Sequence, residues 1–205
     1  FGDGRFIDPH TFEFDGKKIT SRKFVISTGS RAVAIPIKGL ENIKYLTSES
    51  ALELDYLPKS IIILGAGPIG LEFAQVFARF GSKVTVIEKM GQILPREDKE
   101  IADTLELILK EEGIDIYTCV DVDQFKQNED LKGIEVVAAC SGQKKTFQAD
   151  EFMIAIGRAP NLEGLNLEAA GVKIEKKSIT VNSAMRTTAR NIWACGDVTG
   201  HYLFT

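Results

Sequence analysis

The stretch from Ile61 to Glu72, Ile-Ile-Ile-Leu-Gly-Ala-Gly-Pro-Ile-Gly-Leu-Glu, limits what this chain can become more than any other. Four consecutive apolar residues, three of them β-branched, read as a strand buried on both faces of a parallel sheet. Gly65, Gly67 and Gly70 then place Gly-x-Gly-x-x-Gly at the turn into a helix. Gly65 permits the tight turn, Gly67 lets backbone approach a pyrophosphate, and Gly70 lets the helix sit close to the strand. The loop Gly65-Ala66-Gly67-Pro68-Ile69-Gly70 would offer phosphates the free N–H groups and positive end of that helix. Pro68 suits a first helical turn, where its missing N–H has no partner to lose. The alternative is a glycine-rich turn that serves packing alone.

Context separates the two. The helix from Pro68 carries Ile69, Phe73, Val76, Phe77 and Phe80 at helical spacing, and Gly81 ends it. A second apolar strand, Val84-Thr85-Val86-Ile87, ends on Glu88, 18 positions after Gly70. That is near the spacing of about 20 expected for an acid that binds an adenosine ribose diol. A carboxylate there accepts hydrogen bonds from both ribose hydroxyls of NAD and repels the 2′-phosphate of NADP, so NAD is the expected cofactor. Lys89 is adjacent and Arg96 lies on the following loop, which leaves room for some NADP binding.

With 205 residues the chain can form one large or two small domains with real cores. A net charge of −4 offers no basic footprint, which argues against nucleic acid and anionic membranes as partners. No apolar run approaches the roughly 18 residues that span a bilayer, and no signal peptide opens the chain. Cys119, Cys140 and Cys195 are scattered without a CxxC or CxxxxC, the usage of a reduced, cytoplasmic protein. With only His10 and His201 available, no metal site is expected. The chain starts at Phe1 without methionine and stops at Thr205 after an apolar approach, and both ends read as those of a fragment.

Residues 1–48 read as β-structure. Thr11-Phe12-Glu13-Phe14 alternates, and Asp15-Gly16 turns it into Lys17-Lys18-Ile19-Thr20. Gly2 and Gly4 read as turn residues, Phe24–Ser27 as a short buried strand, and 36–47 as a connector. A short helix is expected near 48–55, capped by Ser48 or Ser50, with Ser50 and Glu53 as a capping box. Beyond Glu88 a helix near 97–112 shows a stripe of Ile101, Leu105, Ile108 and Leu109 and stops at Gly113. Ile114-Asp115-Ile116-Tyr117 then completes βαβαβ. From Leu131 an antiparallel excursion pairs 134–138 with 145–148 across Ser141-Gly142. Residues 152–156 return as a buried strand that ends in a loop at Gly157-Arg158-Ala159-Pro160-Asn161. A hairpin over 171–183 follows, then a strand over 191–195 that stops at Gly196-Asp197.

Four motifs occur in order: Ser27-Thr28-Gly29-Ser30, the Gly65–Glu72 loop with Glu88, Gly157-Arg158-Ala159-Pro160-Asn161, and Ala194-Cys195-Gly196-Asp197. As an ordered set they resemble the pyridine nucleotide–disulfide oxidoreductases, two-dinucleotide flavoproteins. The wording of the third motif looks most like the branch that holds dihydrolipoyl dehydrogenase, glutathione reductase and mercuric reductase. The resemblance implies an NAD domain inserted into an FAD domain: 1–48 and 171–205 as partial FAD-binding flanks and 49–170 as the NAD-binding domain. The fold class expected is α/β, a Rossmann-like doubly wound parallel sheet with an antiparallel β-meander, flanked by β-rich remnants of the FAD domain.

The same resemblance assigns Thr28, Gly29, Ser30 and Asp197 to the FAD, and Leu203, Phe204 and Thr205 to the neighbourhood of the flavin ring. It sets Glu72 beside the nicotinamide, Val122 against the adenine and the backbone of Gly157 against the cofactor. The plainer readings are a helix-terminus acid for Glu72 and a core valine for Val122. The activity implied for a longer parent is hydride transfer between nicotinamide and FAD, then electron transfer to a disulfide-type acceptor, in a homodimer. No redox CxxxxC and no His–Glu acid–base pair occur in these 205 residues, so no catalytic residue is assigned. A stand-alone NAD-binding regulatory module, or a flavoprotein like NADH oxidase or ferredoxin reductase, are the alternatives. A stand-alone module would have no evident reason to keep Thr28-Gly29-Ser30 and Gly196-Asp197.

Overall fold

The computed structural model of the chain describes residues 2–33, 35–128, 133–140, 143–200 and 203. Two compact units emerge, one of Phe1–Arg31 with Arg158–Thr205 and one of Ala32–Gly157. The expected limits, 48/49 and 170/171, lie further along the chain than these, and packing explains why. Leu40, Ile43 and Leu46 are buried among residues of the second unit, and Leu46 exchanges backbone hydrogen bonds with Phe152 and Ile154. Leu162, Leu165, Leu167 and Ala170 pack in the core of the first unit instead.

The first unit opens with strands β1 (Gly4–Asp8), β2 (Thr11–Phe14) and β3 (Lys17–Thr20) as an antiparallel sheet. Asp15 and Gly16, at φ 47° and 73°, make the expected turn between β2 and β3. Gly4 belongs to β1 rather than to a turn; a Cβ there would lie 2.3 Å from the Phe12 ring, so glycine makes room for that aromatic. β4 (Phe24–Ile26) buries Ile26 but leaves Val25 exposed, so it is a half-buried strand, not a fully buried one. β5 (Ser30–Ala32) follows at the crossing into the second unit.

In that second unit the connector 36–47 carries a 3₁₀ turn, Leu40–Asn42, and leads into helix α1 (Ser48–Ala51). The cap of α1 is Thr47, the residue before Ser48, and the capping box is Thr47 with Ser50 rather than Ser50 with Glu53. Strand β6 (Ser60–Leu64), helix α2 (Pro68–Phe80), strand β7 (Lys83–Ile87), helix α3 (Lys99–Glu111) and strand β8 (Asp115–Tyr117) run in the expected βαβαβ order. β9 (Val120–Asn128), β10 (Gly133–Cys140) and β11 (Gln143–Ala149) form the antiparallel excursion, with β9 as a strand that the hairpin reading had left out. Leu131, Ser141 and Gly142, on which that reading leaned, lie outside the described residues. β12 (Glu151–Ile154) closes a four-stranded parallel sheet of order β12-β6-β7-β8.

Alternation along β6 divides the interior in two. Ile61 and Ile63 face a core with Leu71, Ala74 and Phe77 of α2 and Ala102 and Leu109 of α3. Ile62 and Leu64 face Phe125, Val136 and Phe147 of the antiparallel sheet. A doubly wound arrangement would carry helices on both faces; here both helices lie on one face and the β-meander covers the other. Right-handed crossovers explain this: β6 to β7 to β8 proceeds in one direction, so both helices fall on one side, and the return to β12 passes over the other.

Each helix buries part of its expected stripe: Phe77 on α2 and Leu109 on α3 are buried, and Ile69, Phe73 and Leu105 pack on the same core. On α2, Val76 and Phe80 are exposed and Gly70, Leu71, Ala74 and Phe77 are buried. On α3, Ile101 and Ile108 are exposed and Ala102 and Leu109 are buried. The C-cap of α2 is Gly81 at φ 104°, as expected.

The chain then returns to the first unit through β13 (Arg158–Pro160), which pairs with β5 where a loop was expected. β14 (Ile174–Glu175) and β15 (Ser178–Ile179) form the hairpin expected over 171–183. β16 (Ile192–Ala194) runs parallel to β4. No described helix is long and apolar enough to cross a membrane.

Candidate cofactor-binding sites

In the Ala32–Gly157 unit the glycine loop leaves the carboxyl end of β6 at the point where the sheet reverses order, between β6 and β12. Open α/β sheets bind ligands at such a switch point. Gly65 has φ 107°, and a Cβ there would sit 2.5 Å from the Ala155 carbonyl oxygen. At Gly70 a Cβ would lie 2.0 Å from the Gly65 carbonyl oxygen, so this glycine lets α2 start against the loop. Gly67 is different. Its φ of −76° and ψ of 178° suit any residue, and a Cβ there meets nothing within 4 Å. Among the described residues, no neighbour demands glycine at that position.

Glu88, 8 % exposed, continues β7 beneath this loop. Its Oε2 accepts from the Ala66 N–H at 2.8 Å and its Oε1 from the Met90 N–H at 2.7 Å. The carboxylate therefore fixes both the glycine loop and the turn that follows its own strand. Leu94 donates its N–H to the Ala66 carbonyl, which ties down the next loop as well. Lys89 donates to both carboxylate oxygens of Asp121, each at 3.1 Å. Val122, half-buried at the start of β9, packs on the core beneath the meander. Glu72 is exposed on α2, and Gly157, exposed at φ 138°, ends the unit; a Cβ on Gly157 would meet nothing within 4 Å.

In the other unit, three of the four motifs meet. β4 and β16 are parallel neighbours, so their carboxyl ends deliver Ser27–Ser30 and Cys195–Asp197 to one edge, with Cys195 N–H bonded to the Ile26 carbonyl. The Ser30 hydroxyl donates to Asp197 Oδ2 at 2.6 Å and accepts from Arg158 Nε at 2.7 Å. Arg158 also donates to the Ser30 carbonyl, and its Nε lies 3.9 Å from Asp197 Oδ2. Thr28 and Asn161 are doubly joined, hydroxyl to carbonyl and amide to carbonyl, and Asn161 N–H binds the Gly29 carbonyl. Arg31 grips Glu163 through both guanidinium nitrogens, which holds that exposed carboxyl at about 2. Gly196, at φ 77° and ψ −158°, occupies backbone space that is open almost only to glycine.

Sequence reasoning did not single out Arg158 as a site residue. Its side chain is 7 % exposed beside Asp197, and the only signal was its place in the motif. Leu203 is half-buried; Phe204 and Thr205 lie outside the described residues.

A parallel sheet with a glycine loop at its switch point and a second unit that gathers three loop motifs matches one family over nearly the whole chain. Residues 1–204 fit its sequence profile, Pyridine nucleotide-disulphide oxidoreductase, and the chain belongs to that family. Among individual relatives, mercuric reductase of Bacillus cereus is 36% identical over 199 residues, which cover 97% of this chain and 31% of that protein. Dihydrolipoyl dehydrogenase of Thermus scotoductus is 36% identical over 96% of this chain and 43% of its own. The solved structure of the HOCl-induced flavoprotein disulfide reductase RclA from Escherichia coli superposes with a TM-score of 0.90 at 37% identity, covering 99% of this chain and 46% of that one. The chain thus spans less than half the length of these relatives.

Proposed function

We propose that the Ala32–Gly157 unit binds NAD(H) in a Rossmann-like manner. In this reading the other unit, Phe1–Arg31 with Arg158–Thr205, supplies part of an FAD site in a longer flavin-dependent oxidoreductase. The observation that carries the NAD reading is Gly67: a glycine that neither backbone angle nor any protein neighbour requires, at the mouth of α2 where a diphosphate would rest. Gly65, Ala66, Pro68, Ile69 and Gly70 form the rest of the cradle, and Glu88 faces the ribose. Glu72, Val122 and the backbone of Gly157 keep the roles that the family resemblance implies.

Nicotinamide and flavin, when bound, supply the hydride chemistry, while this chain binds and orients them. Thr28, Ser30 and Asp197 have partners in their own unit, so their presence has a structural reason and does not alone speak for a flavin. The flavin assignment rests on family membership, and so does the expectation of a disulfide-type acceptor and a homodimer for the whole protein. Calorimetric titration of the chain with NADH, NADPH and FAD tests the proposal. NADH should bind best and FAD poorly; absence of NADH binding would overturn it.

A further inference from the structure

The ion pair between Lys89 and Asp121 sits at the adenosine end of the proposed NAD site, and nothing in the glycine-loop logic requires it. Backbone hydrogen bonds set its geometry. Glu88 N–H binds the Tyr117 carbonyl at 2.8 Å, Val120 N–H the Glu88 carbonyl at 3.0 Å, and Cys119 N–H the Met90 carbonyl at 2.9 Å. Residues 88–90 therefore run alongside 117–120, and Lys89 comes level with Asp121, the second residue of β9. The lysine nitrogen is equidistant, at 3.1 Å, from both oxygens of that carboxylate. Both side chains are exposed, 70% and 63%, and an exposed pair of this kind adds little to stability.

We propose that Asp121 is a positioning residue for cofactor choice: it neutralises Lys89, the cation next to the diol-binding acid, and so withholds the partner a 2′-phosphate would need. This rests on the NAD reading above. The rim then carries Glu88, Lys89 and Asp121, one positive charge between two negative ones. The diol of NAD needs only acceptors and is indifferent to the pair. The 2′-phosphate of NADP meets Glu88, must draw Lys89 away from Asp121, and leaves a second carboxylate close by. Replacing Asp121 with a neutral isostere frees Lys89 and removes one negative charge from the rim.

The test is titration of the wild-type chain, Asp121→Asn, Lys89→Met and the double variant with NADH and with NADPH, at low and at high salt. Asp121→Asn should tighten NADPH roughly three- to tenfold, the size expected for one charge acting on a dianion across a solvated rim. NADH should stay within about twofold, and the NADPH gain should shrink as salt screens it. Measured against Lys89→Met, the double variant Lys89→Met/Asp121→Asn should gain distinctly less than Asp121→Asn gains against the wild type, because no lysine remains to be released and only the lost carboxylate charge acts. The proposal is overturned if Asp121→Asn leaves NADPH binding unchanged, if it shifts both cofactors equally, or if it gains as much in the Lys89→Met background as in the wild type. A wild-type chain that binds no NADH would instead refute the NAD site itself, a different result from a wild-type chain that binds NADH while Asp121→Asn gains nothing.

Discussion

Substituting Gly67 by alanine separates a glycine kept for the fold from one kept for a ligand. At Gly67 the backbone is already in a conformation open to alanine, and the added Cβ meets no atom within 4 Å. Alanine there reduces the freedom of the unfolded chain, a gain of about 0.4–1 kcal/mol where the backbone is compatible. Against that stands the weaker N-cap of α2, a loss of about 1 kcal/mol or less. The two nearly cancel, so the melting temperature should move by no more than about 3 °C in a chain of this length. Gly70→Ala supplies the contrast, because its Cβ would lie 2.0 Å from the Gly65 carbonyl oxygen and backbone would have to shift. A loss of about 1–3 kcal/mol is expected. For binding the order reverses. A methyl group at 67 would occupy the space a diphosphate needs, and losing one charge-assisted hydrogen bond of about 1.5–3 kcal/mol weakens NADH roughly tenfold to a hundredfold. Thermal denaturation and NADH calorimetry on the two variants form the assay. A Gly67→Ala chain that melts normally and binds NADH as the wild type does would refute the reasoning, since no ligand would then need that space.

The remaining predictions concern residues with visible partners. Glu88→Ala strands the N–H groups of Ala66 and Met90, should cost about 2–4 kcal/mol in thermal or urea denaturation, and should abolish NADH binding; Glu88→Gln, which keeps one good acceptor, should cost less. Tyr56 donates to Glu151, and that hydrogen bond is the main reason its phenol is pushed up to about 12. Because the folded pKa is raised above 10.0, the contribution to stability is complete below pH 10 and is lost as pH rises through about 12. Ultraviolet titration should show one of the four tyrosines lagging the others, and Glu151→Gln should bring it back; a lag that persists in that variant would remove Glu151 as the cause. In the first unit, Arg158→Met should destabilise more than Ser30→Ala, by about 3 kcal/mol against about 1 kcal/mol, because it removes the guanidinium charge beside a buried carboxylate whereas Ser30→Ala leaves the ion pair to close up. Equal losses in denaturation would contradict that ranking.

The sequence showed most clearly where one residue type has one physical use. Four apolar residues followed by spaced glycines left few alternatives for β6, its turn and α2, and Asp15-Gly16 pointed to its own hairpin. Burial phase was much less legible. On α2 the stripe Ile69, Phe73, Val76, Phe77 and Phe80 holds for Phe77, with Ile69 and Phe73 packed on the same core, but Val76 and Phe80 are exposed while Gly70, Leu71 and Ala74 are buried. Close approach at Gly70 favours small residues against the sheet, so size misled at Val76 and Phe80. The same happened on α3, where Ala102 is buried and Ile101 exposed. Unit limits were hidden because 32–48 and 158–170 have no distinctive composition; which core Leu40 or Leu167 joins is decided by tertiary packing. Arg158 escaped notice as a site residue because its importance comes from Ser30 and Asp197, which the chain brings to it from 128 and 39 positions away.

In the proposed NAD site, Glu88 would combine local fixation and ligand recognition in one side chain. A carboxylate offers about four lone-pair sites, and the Ala66 and Met90 amides take one on each oxygen. The remaining two are enough for a ribose diol, so cofactor would not have to displace the protein's own hydrogen bonds. An acid doubly anchored in this way holds the glycine loop in shape before any ligand arrives, which lowers the ordering cost of binding. The proposed double duty would call for a carboxylate at the end of β7 rather than any hydrogen-bonding residue: a serine or asparagine could serve the loop or the sugar, but it lacks the acceptors to serve both.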